Sequence, residues 1–195
     1  MEFLDIILIG IALSVDACAV SIANCNIYKK ELTKKNLWLM PLMFGLFQAI
    51  MPLSAYYIGS TFAEYAKSFA GYITSAIFFL LAIKILIDIV SELKEQKENK
   101  EKQKTDKKFS VWLVIIQALA TSIDAFIIGL TFSLSYTMSI YLAIAIIFSI
   151  TFILVSLSIV LGKSLGTLFG KYANWIGFAI LMILAIKELI FAIVG

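Results

Sequence analysis

FLDIILIGIALSVDACAVSIAN, residues 3–24, is an almost unbroken apolar run with Asp5 near its start and Asp16 set deep inside it. At 1.5 Å per residue a helix of this length reaches about 30 Å, the thickness of bilayer hydrocarbon. Buried strands would need turn signals every few residues, and a membrane barrel would need short alternating segments; neither pattern is present. The leader Met1-Glu2-Phe3-Leu4-Asp5 carries acids where a secretory signal carries Lys or Arg, so the segment reads as a retained membrane span.

Five further stretches have the same character: Leu37–Gly59, Phe69–Ile89, Val111–Ser133, Ser139–Leu161 and Tyr172–Val194. Of the 195 residues, 62% are hydrophobic and 15% charged, and the mean hydropathy is +0.98. Soluble domains hold roughly 45–50% apolar and about 25% charged residues. The expected fold is therefore all-α and polytopic, with six transmembrane helices and the lipid bilayer as partner.

Residues 91–110 interrupt the apolar pattern with seven Lys and five acidic residues. This segment has no apolar face and reads as a solvated linker or frayed helix, dividing the chain into 1–90, 91–110 and 111–195. Its mixed charge and lack of interleaved aromatics argue against nucleic acid. With the N-terminus outside, Lys29, Lys30, Lys34, Lys35, the linker lysines, Lys163 and Lys171 all fall on the inner side, leaving Lys67 and Lys187 outside. The positive-inside rule thus expects a multi-pass protein with both termini outside.

The two outer segments repeat each other. Ser14-Val15-Asp16-Ala17 returns as Ser122-Ile123-Asp124-Ala125, and Leu81-Ala82-Ile83-Lys84 returns as Leu184-Ala185-Ile186-Lys187. Three spans per unit is an odd number, so the units would enter the membrane from opposite sides. Two inverted three-helix repeats are expected, with a binding site where they meet, as in secondary transporters.

Asp16 and Asp124 each lie about 13 residues into a span, near the midplane. A carboxylate there costs roughly 2.5–3.5 kcal/mol on insertion scales, which makes purely structural use expensive, although helix-packing bonds from protonated Asp are an alternative. Ala12, Ala19 and Ala23 share the Asp16 face and would let a neighbouring helix approach. Gln117, Thr121 and Asp124 form a polar stripe on the fourth span. Gln48 lies four residues before Pro52, which is expected to free the Gln48 carbonyl and break the second span, and the repeat sets Gln48 opposite Thr151. Ser14 and Ser122 add hydroxyls beside the acids. Lys84 with Asp88, and Lys187 with Glu188, are spaced to pair locally and snorkel, but the equivalence of the two lysines leaves gating or charge compensation open.

This donor set is all oxygen and doubly negative, and it suits a hard divalent cation. The absence of His removes the commonest Zn and haem ligand. Cys18 and Cys25 share one apolar run without a CxxC spacing and read as small buried hydrophobes. All 16 basic residues are Lys, an argument against bidentate phosphate recognition. No catalytic cluster and no GxxxxGK[ST] loop is present, so neither an enzyme nor ATP drive within the chain is expected.

The motifs Ser14 to Ser21, Phe44-Gly45-Leu46-Phe47-Gln48 with Met51-Pro52-Leu53, and Ala120 to Ala125 resemble the MntP-type manganese efflux pumps and their YtaF-like sporulation relatives, within the wider lysine-exporter group. The resemblance covers nearly the whole chain. It implies a bacterial inner-membrane exporter of Mn²⁺, with Asp16 and Asp124 as the family's intramembrane acids, Mn²⁺ as cargo and no permanently bound cofactor. Where many such pumps carry Glu in the second span, this chain has Gln48. The expectation is a secondary transporter working by alternating access; export of a small cationic organic solute and a non-transporting sporulation scaffold are the alternatives. The oligomeric state is not defined by the sequence.

Overall fold

The computed structural model of the chain describes residues 3–28, 32–66, 69–98, 109–135 and 139–194. The structure is all-helical: α1 (Phe3–Ile27), α2 (Lys34–Ala66), α3 (Ala70–Glu98), α4 (Val111–Thr121), α5 (Ile123–Ser135) and α6 (Ile140–Val194). Among the described residues, six stretches are long and apolar enough to cross a membrane: Phe3–Cys25, Lys34–Thr61, Ala70–Ile87, Val111–Leu134, Ile140–Val160 and Trp175–Val194. Each overlaps a stretch expected from hydropathy. The centre of the charged linker, 99–108, lies outside the described residues, as do Lys29, Lys30 and Lys67. Helix α3 carries on past its apolar stretch to Glu98, so the start of the linker is helical.

Two spans share α6, which is helical along its length yet cannot be straight. Gly10 of α1 lies against Ile147 and Ile150, while Gly177 lies against Ala12 and Val15 of the same helix. A straight helix would hold residues 147 and 177 about 45 Å apart, whereas residues 10 and 12 are about 3 Å apart along α1. The chain therefore doubles back between Val160 and Trp175, and both spans of α6 flank α1.

The fourth span, by contrast, is split. Ser122 takes φ −95° and ψ 2° between α4 and α5, and its N–H reaches the Leu119 carbonyl at 3.2 Å in place of the regular bond to Ala118. The Ser122 hydroxyl donates to the Ala118 carbonyl instead, at 2.7 Å. The break expected at Pro52 does not occur, since α2 runs through both Pro41 and Pro52. The Pro52 turn is braced from outside: Gly129 of α5 presses on its backbone so closely that a β-carbon there would collide with the Pro52 carbonyl and Cα. A neighbouring helix that close can hold a proline-containing turn in helical form.

Helices adjacent in sequence are not the closest in space. Helix α1 packs mainly on α6, α2 on α5 and α6, and α3 on α6, while α1 and α2 scarcely touch. The two halves of the chain therefore interlock. Their interior forms two apolar clusters. One contains Ile6, Ile9, Leu13, Phe78, Leu81, Ala125, Ile128, Phe132, Ile147 and Leu184. The other contains Ala17, Cys18, Met40, Phe44, Val114, Ala118 and Val155. Leu13 and Ala17 belong to different clusters, as do Ala118 and Ala125, so the residues between each pair sit at a seam at mid-depth.

The outer surface is apolar, as lipid requires, with Leu80, Val160 and Ile183 among many exposed aliphatics. Exposed Trp38, Trp112 and Trp175 sit at the starts of the second, fourth and sixth spans, which begin on one side of an alternating bundle. Tyr57 and Tyr141, hydrogen-bonded at 2.7 Å, and Tyr72 band the other side. Amphipathic aromatic rings settle at membrane–water interfaces, so the two bands mark the bilayer edges.

Candidate functional site

The seam between the apolar clusters is where the polar residues gather. Helix α1 brings Asp16 there, and the break at Ser122 places Asp124 in the first turn of α5. Both aspartates line one small cleft with Ala12, Leu13, Leu81, Ile85 and Leu181. Its volume is about 20 Å³, room for a single water-sized guest. Because the span is split, Asp124 stands at the start of a helix, whereas Asp16 lies inside the unbroken α1.

Small residues allow this approach. Gly10 of α1 brings Ile150 so near that a β-carbon would sit 3.0 Å from it, while at Gly177 beside Asp16 a β-carbon would make only ordinary contacts with Val15 and the Ala12 carbonyl. Ala12 faces the interior as expected, but Ala23, further along the anticipated small face, is exposed. Ala19, between them on that face, is half-buried.

Lys84 of α3 is committed to this cleft. Its Nζ donates to both carboxylate oxygens of Asp124, at 2.7 and 2.6 Å. The Lys84 side chain is 49% exposed and that of Asp124 14%, so the ammonium reaches in from the cleft's edge. The expected local partner of Lys84, Asp88, has a side chain that lies outside the described residues. Lys187, the repeat counterpart, goes elsewhere: its Nζ donates to both oxygens of Asp5, at 2.8 and 2.7 Å. Asp5 is almost fully buried. It lies 11 residues before Asp16 on α1, about 16 Å along the axis. Glu188, expected to be the local partner of Lys187, is buried nearby.

The neutral candidates form their own cluster against the same layer. Gln48 Nε2 donates to the Leu13 carbonyl at 2.7 Å, and the Thr151 hydroxyl donates to Gln48 Oε1 at 2.5 Å. Ser14 Oγ lies 3.1 Å from the Thr151 hydroxyl and 2.6 Å from the Gly10 carbonyl. Thr151 has one hydroxyl proton and gives it to Gln48, so Ser14 is the donor to either partner. Gln48, Thr151 and Ser14 are fully buried, and none of them lines the cleft. They fasten α1, α2 and α6 together and reach the cleft only through the backbone of Leu13.

The stripe on the fourth span is divided by the break. Gln117 pairs with Asn24 through both amides, at 2.7 and 3.3 Å. Thr121 donates to the Gln117 and Ala118 carbonyls of its own helix. Asn24 and Asp5 were not expected to take part. Each lies in or at the end of the first apolar run, and a buried amide or acid there needs a partner on another helix. Cys18 is buried away from the cleft and Cys25 is half-buried, both as free thiols. Among the described residues no three His, Cys, Asp or Glu side chains cluster as a ready metal cage. The cleft therefore offers two carboxylates, one of them held by a lysine, in an apolar surround. A mobile cation can be held there only by sharing or replacing that ammonium.

Comparison with known proteins agrees with the motifs. The family described as "Putative manganese efflux pump" matches residues 31–189. A Methanobrevibacter smithii protein named "Putative manganese efflux pump MntP" is 37% identical over 97% of both chains. Proteins of the same name from Clostridium perfringens strain 13 and Fusobacterium nucleatum are 34% and 30% identical, each over 97% of this chain and at least 95% of the relative. No solved structure matches the chain.

Proposed function

Since the chain belongs to the MntP family of manganese efflux pumps, we propose that it is a secondary transporter exporting a divalent cation, Mn²⁺ first among them, across the cytoplasmic membrane. The observation that carries this reading is the convergence of Asp16 and Asp124 on one small cleft at mid-depth. Two carboxylates in an apolar surround attract a hard divalent ion, and oxygen ligands suit Mn²⁺, Mg²⁺ and Ca²⁺ better than soft metals. Asp16 and Asp124 are the ligands in this proposal, and the Lys84 ammonium compensates Asp124 when no metal is bound. Gln48, Thr151 and Ser14 set the position of α1, while Gln117, Thr121 and Ser122 shape the break that aims Asp124. Lys187 compensates Asp5.

Transport proceeds by exchange of the inverted repeats 1–90 and 111–195 about this layer, joined by the 91–110 linker, with both termini outside. Three observations support the exchange. Gln48 and Thr151, repeat counterparts, bond to each other across the bundle. Ser14 and Ser122 each bond the carbonyl four residues earlier in the two copies of the motif. Each half's first span also packs chiefly against the other half. Rocking of one repeat against the other would then open the cleft to alternate sides.

The test is manganese content and manganese tolerance in an exporter-deficient bacterium expressing this chain, Asp16→Asn or Asp124→Asn at matched membrane levels. Export by the parent chain and its loss in both variants is the expected result. A parent chain that inserts normally without lowering cellular manganese ends the manganese assignment.

A further inference from the structure

We infer that the Lys84 ammonium is a tethered occupant of the transported cation's place on Asp124, displaced each time a divalent ion binds and returning each time it leaves. The inference rests on the proposal that Asp124 is a ligand, and adds how the site is emptied and how it selects by charge. Both Asp124 oxygens accept from the one Nζ, at 2.6 and 2.7 Å. A metal held bidentate by the same carboxylate would need both oxygens at about 2.1–2.6 Å, so the ammonium cannot keep its two short bonds in that arrangement.

The residue type and its placement both suit exchange. Lysine presents a compact charge on a flexible four-carbon stem, whereas arginine would lock the carboxylate in a planar fork. The Lys84 side chain is half exposed while that of Asp124 is nearly covered, so the lysine stands at the rim of the bundle and is not locked in its core. The Lys187–Asp5 pair is more enclosed, with the Lys187 side chain 29% exposed. Its carboxylate side chain is 4% exposed, and its Nζ also sits 6.0 Å from the centre of the Phe191 ring.

Charge selection follows from the tether. A monovalent ion that displaces Lys84 replaces one positive charge with another, and must compete with a group whose effective concentration is millimolar or higher. A divalent ion brings twice the charge to two carboxylates in a poorly screened setting and wins the exchange. When the ion departs, the returning ammonium again offsets the Asp124 charge. That lowers the penalty for carrying the empty site through an apolar layer.

The experiment uses the full-length protein in lipid vesicles, with bound Mn²⁺ followed by its electron paramagnetic resonance signal. Lys84 is treated with a membrane-permeant acylating reagent, and its modification is read by peptide mass spectrometry. Saturating Mn²⁺ should speed acylation of Lys84 at least about 3-fold relative to K⁺ at equal ionic strength, because the ammonium is freed from its carboxylate. In Lys84→Met, Mn²⁺ should bind about 10-fold tighter, K⁺ should begin to compete, and turnover should fall as release slows. Lys84→Arg should keep charge selection and lose turnover. Bound Mn²⁺ with unchanged Lys84 acylation overturns the exchange, even if Lys84→Met fails to insert. Unaltered Mn²⁺ affinity and K⁺ insensitivity in a well-inserted Lys84→Met does so as well. Failure of the underlying reading looks different: Asp124→Asn would then bind Mn²⁺ as tightly as the parent chain.

Discussion

Lys84 and Lys187 occupy matching places in the two halves of the chain, yet they meet different kinds of acid. Lys84 reaches an aspartate in the seam between two apolar clusters, beside a cleft and a second aspartate. Lys187 reaches Asp5, sealed between the first and last spans about three helical turns from that layer. The same ion-pair chemistry, at nearly the same length, therefore sits in two settings. At the cleft the partner can be exchanged, because one end is accessible and a second carboxylate shares the space. At Asp5 the exchange is hindered, because the acid is almost fully buried. Whether a membrane ion pair is a working part or a fastening depends on what lies next to it.

The sharpest way to break this contrast is at its functional end. Asp124→Asn should lower Mn²⁺ efflux from loaded vesicles by at least about 100-fold, since a midplane ligand is lost and Lys84 is left beside a neutral amide. Its thermal stability in detergent should change less than that of the next variant. Asp5→Asn should destabilise the protein by roughly 3 kcal/mol, the low end for breaking a buried pair, while Mn²⁺ affinity of the surviving folded fraction stays at the parent value. A fall in affinity there would make both lysine pairs parts of one site.

Two smaller effects calibrate the scaffold around both pairs. Gly129→Ala puts a β-carbon into the Pro52 backbone. It should cost about 1–3 kcal/mol of stability by overpacking, read from denaturation in mixed detergent. A neutral result would mean that α5 does not brace the Pro52 turn. Thr151→Val, which removes the donor to Gln48, should cost only about 0.6–1.7 kcal/mol by the same assay, the range for uncharged interhelical hydrogen bonds in membranes. An effect as large as that of Asp5→Asn would move the Gln48 cluster from fastening to function.

The linear sequence made some of this legible and hid the rest for definite reasons. The spans could be read because lipid demands long apolar helices, and the motif around Asp16 and Asp124 stood out because an acid inside such a run is expensive. Gln48 opposite Thr151 was readable from the repeat offset, and the two residues bond directly. Helical breaking was misplaced, because a proline is visible in sequence while the neighbour that supports it is not. The split at Ser122 has no proline or glycine to announce it; it depends on hydroxyls that can take over a carbonyl at a turn of altered geometry. The acids on other helices that the two lysines reach, Asp124 and Asp5, were not readable from local spacing. A long side chain in an apolar layer reaches the buried acid of another helix when packing brings one within range.

By itself the sequence determined the six apolar spans and their membrane setting. It also set out the expected depth of Asp16 and Asp124 and the expected equivalence of the two lysines. These follow from hydropathy, length and spacing, which are properties of single helices and of the chain read against itself. Only the tertiary structure decided that the halves interlock, that both aspartates open onto one cleft, and that Lys84 takes Asp124 while Lys187 takes Asp5. Those outcomes depend on which small residues let which helices approach and on how each helix is rotated about its axis. Such choices are made between helices, where residues far apart in the chain meet.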